Sequence, residues 1–218
     1  MSLWLTRILP DQRSRDARRD GTSAVDLHHR LMSLFPDNIP APAPRRELGV
    51  LFRSDTAGSG HQILLQSALP PDLTRLPAGY GSAATKSLTP LLDALRPGLA
   101  VRYRIAANPI RKPGRTTRDL YGLSAVVPLR GAAADDWWTR QADAAGLHVN
   151  TLHSTPLDAA CGARRSDQRP IKHDRVLFEG TALIADTERL RTRLTAGIGK
   201  GKAYGCGLLS IAPHQGNQ

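Results

Sequence analysis

Aromatic side chains are scarce in this sequence, at 5%, and its 218 residues include only two cysteines, Cys161 and Cys206. The cysteines lie far apart and share no metal-type spacing. That argues against a disulfide framework and favours a reduced, cytoplasmic protein. Long apolar runs are missing too, since none approaches the roughly 20 residues that span a bilayer. The opening Met1-Ser2-Leu3-Trp4-Leu5-Thr6-Arg7 has a polar break and an early arginine, unlike a secretory leader. Acidic residues are outnumbered, 19 Asp and Glu against 30 Lys and Arg, which leaves a formal charge of +11. Such an imbalance favours a polyanionic partner, nucleic acid before an acidic membrane. With no spanning segment, no membrane partner is expected.

What is present is enough for one large domain or two small ones, with 40% apolar residues. Leu3 to Leu9 reads as a strand closed by Pro10, followed by an arginine-dense connector with Arg13, Arg15, Arg18 and Arg19. Ser23 and Asp26 have capping-box spacing, and Leu27, Leu31, Leu34 and Phe35 share one face of the helix predicted there, which Pro36 stops. Pro40 to Pro44 reads as a loop. Strands are expected over Leu48–Arg53 and Gln62–Ala68, with turn chemistry in Asp55 to Gly60. Leu88 to Leu95 is ambiguous between helix and strand, and Arg96-Pro97-Gly98 marks a domain boundary.

Beyond that boundary the order recurs. Strands are expected over Leu99–Ala107, Leu147–Leu152, Val176–Ile184 and Gly207–Ile211, and helices over Asp135–Ala145 and Thr187–Leu194. A basic loop follows Asn108-Pro109, and a polar, arginine-rich segment spans Gly162 to Lys172. Each half reads as strand, helix, strand, strand, helix, strand, with the second helix of the first half its weakest element. The fold class is therefore α+β, two tandem ferredoxin-like domains of the kind RNA-recognition modules also use. The expected division is 1–95, a linker at 96–98, and 99–214.

The end of the chain, Gly197-Ile198-Gly199-Lys200-Gly201-Lys202-Ala203-Tyr204-Gly205-Cys206-Gly207-Leu208-Leu209-Ser210-Ile211-Ala212-Pro213, closely resembles the glycine-rich loop and last strand of the CasE family of CRISPR-associated endoribonucleases. Trp4-Leu5-Thr6-Arg7 is similar to the family's first strand, and His28 to Pro36, ending in Leu34-Phe35-Pro36, to its first helix. Ala107-Asn108-Pro109 closes a basic strand as in the family. These motifs sample almost the whole chain. The resemblance implies metal-independent cleavage of precursor CRISPR RNA at the base of the repeat stem-loop. It also implies that the enzyme keeps its product and joins the other subunits of Cascade. No cofactor or metal is expected.

Metal-free RNA cleavage needs a base for the 2′-OH, an acid for the 5′-leaving oxygen, and charge to hold the phosphate. Histidine suits proton transfer, with an ordinary pKa of about 6.5. His28 and His29 fall in the first helix. On residue chemistry alone His28 reads as a half-buried packing residue and His29 as a solvated one. Aligning Leu34-Phe35-Pro36 with the family places its catalytic histidine on His28. Some members carry a tyrosine three residues earlier, where this chain has Val25.

By the same resemblance, RNA contacts are expected from Arg164, Arg165, Arg169, Lys172, Lys200 and Lys202, the clustering of basic charge adds Arg111, Lys112 and Arg115, and Arg30 is named as a further RNA contact. In the glycine-rich loop, backbone N–H groups can approach phosphates and the two lysines add charge. The plainer alternative is a tight turn with solvated lysines, and any one arginine cluster can be a solvated loop. Trp137 and Trp138 point about 100° apart on a helix, and Trp137 is assigned to the core and Trp138 to the surface. His61, His148, His153, His173 and His214 show no ligand spacing and receive no role. Tyr204 reads equally as a stacking or a packing residue. Two alternatives to the nuclease remain: a stem-loop RNA-binding subunit without catalysis, and a ribosome-associated structural protein. The latter leaves the terminal motif unexplained.

Overall fold

Each half of the chain builds its own four-stranded antiparallel sheet, in the orders β2-β3-β1-β4 and β10-β5-β9-β8. Both are the ferredoxin-like order, so the tandem arrangement expected from the sequence is the arrangement found. The computed structural model describes residues 2–37, 43–57, 60–122, 124–163 and 169–214.

In the first half, β1 (Trp4–Pro10) is central, pairing antiparallel with β3 and β4. The arginine-dense connector is not a loop but the helix α1 (Arg15–Thr22), started by Ser14, whose side chain accepts from the Ala17 N–H. Ion pairing makes this helix viable: Asp16 and the buried Asp20 neutralise Arg19 and Arg30. Ser23 then ends α1 and caps α2 (Ala24–Met32), accepting from the Asp26 N–H at 3.2 Å as the capping spacing predicted. Leu27, Leu31, Leu34 and Phe35 are all buried. After the short α3 (Pro44–Glu47), β2 (Leu51–Ala57) and β3 (Gly60–Ser67) pair as a hairpin. The middle of its expected turn, 58–59, lies outside the described residues.

The fourth strand, β4 (Gly81–Ser87), was hidden by its composition. It is an edge strand with no buried residue, so it carries no apolar alternation, and it is joined to β1 in part by a Thr6–Thr85 hydroxyl pair at 2.8 Å. Between β3 and β4 stands only a 3-10 turn at Leu73–Arg75, in place of the weakly signalled second helix. The ambiguous 88–95 segment contains the short α4 (Thr89–Asp93). Leu92 and Leu95 pack on the core of the second half.

The second half runs β5 (Ala100–Ala107), β6 (Ile110–Arg111), α5 (Arg115–Tyr121), β7 (Val127–Pro128) and α6 (Ala132–Ala144). It continues with β8 (Leu147–Ala163), β9 (Pro170–Ile184), α7 (Thr187–Ala196) and β10 (Leu209–Pro213). The basic loop after Asn108 is a small insertion in which β6 and β7 pair around α5. The polar segment near Gly162 is part of a long hairpin arm. β8 and β9 stay paired from Leu147–Ile184 out to Ala163–Pro170, with register shifts at two points. Trp138 corrects its surface assignment: it is fully buried, stacked on Phe178 at 5.6 Å, and Trp137 also stacks on Phe178. A bulky Phe178 fills the space between their diverging directions, so both indoles join one core.

Buried polar bonds tie the halves together. Arg53 of β2, paired with Asp55 at 2.8 Å, donates from Nη1 to the Arg104 carbonyl and the Ser210 hydroxyl, each at 3.0 Å. Gln66 of β3 donates to the Leu194 carbonyl at 2.7 Å. These bonds fix how α2 of the first half faces the glycine-rich loop of the second.

Candidate active site

Two halves contribute one cluster of rings. His28 projects from α2, one turn inside its N-terminus, where the helix dipole favours an anion. It is half-buried, and its Nδ1 is buried with no hydrogen-bond partner among the described residues. Leaving such an atom unpaired costs about 1–3 kcal/mol, a penalty often met at functional sites. Desolvation, followed by the charges of His29 and Arg45, lowers the His28 pKa to about 4. The imidazole is therefore neutral at pH 7 and free to accept a proton.

Across from His28 stands Tyr204, its ring edge-on with centroids 6.4 Å apart. Tyr204 stacks in turn on His173 of β9 at 5.2 Å and 22°. The His173 Nδ1 accepts from the buried Asn108 amide at 3.0 Å. The glycine-rich loop makes this approach possible. Gly201 has φ +75°, and a Cβ there would meet the His173 ring at 3.5 Å. Gly207, at φ +87°, lies against Ile198, where a Cβ would fall 2.5 Å from the carbonyl oxygen. A side chain there would be strained and would force the loop to shift.

Beside the rings opens a cavity of about 1340 Å³, lined by Arg45, Arg46, Lys112, Lys172, Lys200 and Lys202 against the acids Glu47 and Asp174. Its wall also includes Asn108, His173 and Tyr204. Lys202 donates to the Ala196 carbonyl at 2.7 Å, and burial, followed by Arg45, Arg193, Lys200 and Arg46, lowers its pKa. Like charges gathered this closely are stabilised when a polyanion enters between them. Among the described residues, no group of His, Cys, Asp or Glu could hold a metal ion, and no helix is long and apolar enough to cross a membrane.

The sequence-predicted residues divide accordingly. Lys112, Lys172, Lys200 and Lys202 line the cavity. Arg111 on β6 and Arg115 on α5 are exposed outside it, the latter 3.8 Å from Asp119. Arg169 is exposed just before β9, while Arg164 and Arg165 lie outside the described residues. Arg30 is engaged within its own half, where it bonds Asp20 at 2.7 Å and Asp16 at 3.1 Å and covers the Tyr80 ring. Val25 is buried beneath the hairpin arm.

Sequence reasoning missed Arg45, Arg46 and His173. The adjacent arginines after Pro44 were a usable signal. A lone histidine in a polar run was not, because only folding brings it to Asn108 and Tyr204.

Tandem ferredoxin-like domains that share a cationic cleft beside histidine and tyrosine rings define a class of polyanion-handling α+β protein. Within that class the chain belongs to the CRISPR associated protein family, whose model matches residues 3–213. It is 29% identical to the CRISPR-associated endoribonuclease Cse3 of Thermus thermophilus, over 97% of this chain and 100% of the relative. It is also 29% identical to the Cascade subunit CasE of Escherichia coli, over 90% and 96% of the two chains. Among solved structures, Thermus thermophilus Cse3 bound to RNA in a pre-cleavage complex superposes with a TM-score of 0.78, covering 98% of this chain and 100% of that one at 29% identity. A chain of a CRISPR RNA-guided surveillance complex, pre-nicking, superposes at 0.71 with 38% identity, covering 97% and 100%.

Proposed function

We propose that this protein is an endoribonuclease that cleaves precursor CRISPR RNA at the base of the repeat stem-loop. It keeps the product and takes its place among the other Cascade subunits in the cytoplasm. The observation that carries the reading is a histidine held neutral beside a cavity lined by cations. His28 takes the proton of the RNA 2′-OH, the 2′-oxygen attacks the adjacent phosphorus, and the bond to the 5′-oxygen breaks. The leaving 5′-oxygen takes up a proton from the His28 imidazolium or from water, so the products are a 2′,3′-cyclic phosphate and a 5′-OH. Lys112, Lys172, Lys200 and Lys202, joined by Arg45 and Arg46, offset the phosphate charge. Arg169 extends the contact from the arm and Arg111 and Arg115 from the insertion, and Arg164 and Arg165 are assigned to RNA by resemblance alone. Arg30 is left to its carboxylates.

The same reading divides the chain at Arg96-Pro97-Gly98 into domains 1–95 and 99–214, with α4 of the first lent to the core of the second. Support for catalysis without an added metal comes from the chemistry of the groups gathered here, which are imidazole, phenol and ammonium.

The test is a stem-loop RNA carrying one 2′-deoxy nucleotide 5′ of the scissile phosphate. It binds and stays intact, while the all-ribose RNA is cut in excess EDTA. Cutting of the deoxy RNA, or activity lost in EDTA and restored by Mg²⁺, overturns the mechanism. Binding with no cutting of either RNA leaves the non-catalytic RNA-binding subunit as the function.

A further inference from the structure

His173 has the features of a built hydrogen-bond donor. Its Nδ1 is occupied by the Asn108 amide N–H at 3.0 Å, and an amide nitrogen can only donate. The ring proton therefore sits on Nε2, the opposite edge. Nε2 has no hydrogen-bond partner among the described residues, and it is not a buried atom. Asn108 itself is 5% exposed and closes a backbone bridge to Lys200, so the amide is held from behind. The face of the ring is fixed by the stack on Tyr204. Tyr204 lies between this imidazole and His28, and His173 and Lys200 both line the cavity. A ring clamped at one nitrogen and on one face, with the other nitrogen unpaired and the residue lining a cationic cavity, is a preorganised donor.

We propose that the His173 Nε2–H donates to a non-bridging oxygen of the scissile phosphate, with Asn108 as its positioning residue. The inference rests on the RNA-cleavage reading above and assigns the second imidazole of the site. As the 2′-oxygen adds to phosphorus, charge grows on the non-bridging oxygens. A fixed donor there strengthens most in the transition state, so its loss appears in the cleavage rate more than in binding. Burial lowers the His173 pKa, which keeps it a neutral donor beside the lysines. A neutral donor releases no counterion, so removing it leaves the salt dependence of binding unchanged.

Stacking and donation are separable by substitution. His173→Phe keeps a ring against Tyr204 without an N–H, whereas His173→Gln loses the ring and keeps a donor. Single-turnover cleavage of stem-loop RNA at saturating protein is measured for the full chain, with wild type and His28→Ala as controls. His173→Phe is expected to cut about 10²-fold slower with unchanged salt slope, on the scale of losing one such donor, and His173→Gln to recover at least about tenfold of that. Asn108→Ala should slow cleavage too, and combined with His173→Phe should add nothing further. Wild-type cutting by His173→Phe, or equal losses in Phe and Gln variants, overturns the assignment and leaves His173 a packing residue. If wild type does not cut the RNA at all, the cleavage reading itself fails, a result distinct from either.

Discussion

Val25 and Gly162 are in such close contact that a Cβ on Gly162 would stand 2.7 Å from Val25 Cγ2 and 3.3 Å from the Ser23 hydroxyl. The hairpin arm thus rests on the first turn of α2, three residues before His28. A tyrosine at position 25 would have to displace the arm to reach the site. Val25→Tyr is expected to lower stability by about 1–3 kcal/mol, the usual cost of overpacking, and to leave cleavage no faster. Thermal unfolding and single-turnover rates check both. A faster and equally stable variant would show that the arm yields.

His28→Ala should slow single-turnover cleavage by about 10²-fold or more, with RNA affinity nearly unchanged. His29 lies on the exposed side of α2, and His29→Ala should have a much smaller effect. Equal rates for His28→Ala and wild type would remove His28 from the chemistry.

The depressed pKa of His28 has a definite sign in pH dependence. Between its ordinary value of 6.5 and its native value of about 4, the unfolded chain binds a proton that the native protein does not. Stability therefore falls as pH drops through that window, and above it the histidine contributes no slope. His61 and His173, also lowered by burial, act in the same direction. Replacing His28 by Asn should thus flatten the melting temperature between these pH values without abolishing the trend. The acid limb of kcat/KM should lie near 4, leaving activity level through pH 6.5. A limb centred at 6.5 would mean a solvated imidazole.

Basic residues that look alike in the sequence should separate in a salt titration. Lys200→Ala with Lys202→Ala should reduce the log–log slope of RNA binding by about 0.7–0.9 for each phosphate that these lysines neutralise. Arg164→Ala with Arg165→Ala should do the same if these two arginines contact phosphate. Arg30→Ala should leave the slope unchanged and instead cost about 1–3 kcal/mol of stability, because the buried Asp20 loses its nearest partner. An unchanged slope in the lysine pair would make those residues solvated charges.

Elements with strong local chemistry were legible in the sequence. Ser23 and Asp26 gave the start of α2, the alternation of Ala100 to Ala107 gave β5, and the glycine-rich end gave the loop. Elements stabilised by partners elsewhere were not. β4 depends on β1 to complete its ladder, α1 on Arg30 of α2, which pairs with its Asp16 and buried Asp20, and the outer arm of β8 and β9 on resting against α2. The site followed the same rule. The resemblance put His28 forward, and its helix sets it against Tyr204. His173 had no signal, because Asn108 and Tyr204 are its neighbours only in space, 65 and 31 positions away in the sequence.

Arg53 sits at 3% exposure, its Nε met by Asp55 and its Nη1 by acceptors in the far half of the molecule. Such a guanidinium works as a latch. Parting the halves even slightly strands it between a missing acceptor and water that has not yet arrived, so intermediate openings are costlier than either end point. Any rearrangement that widens the cleft between the halves must therefore break these bonds together.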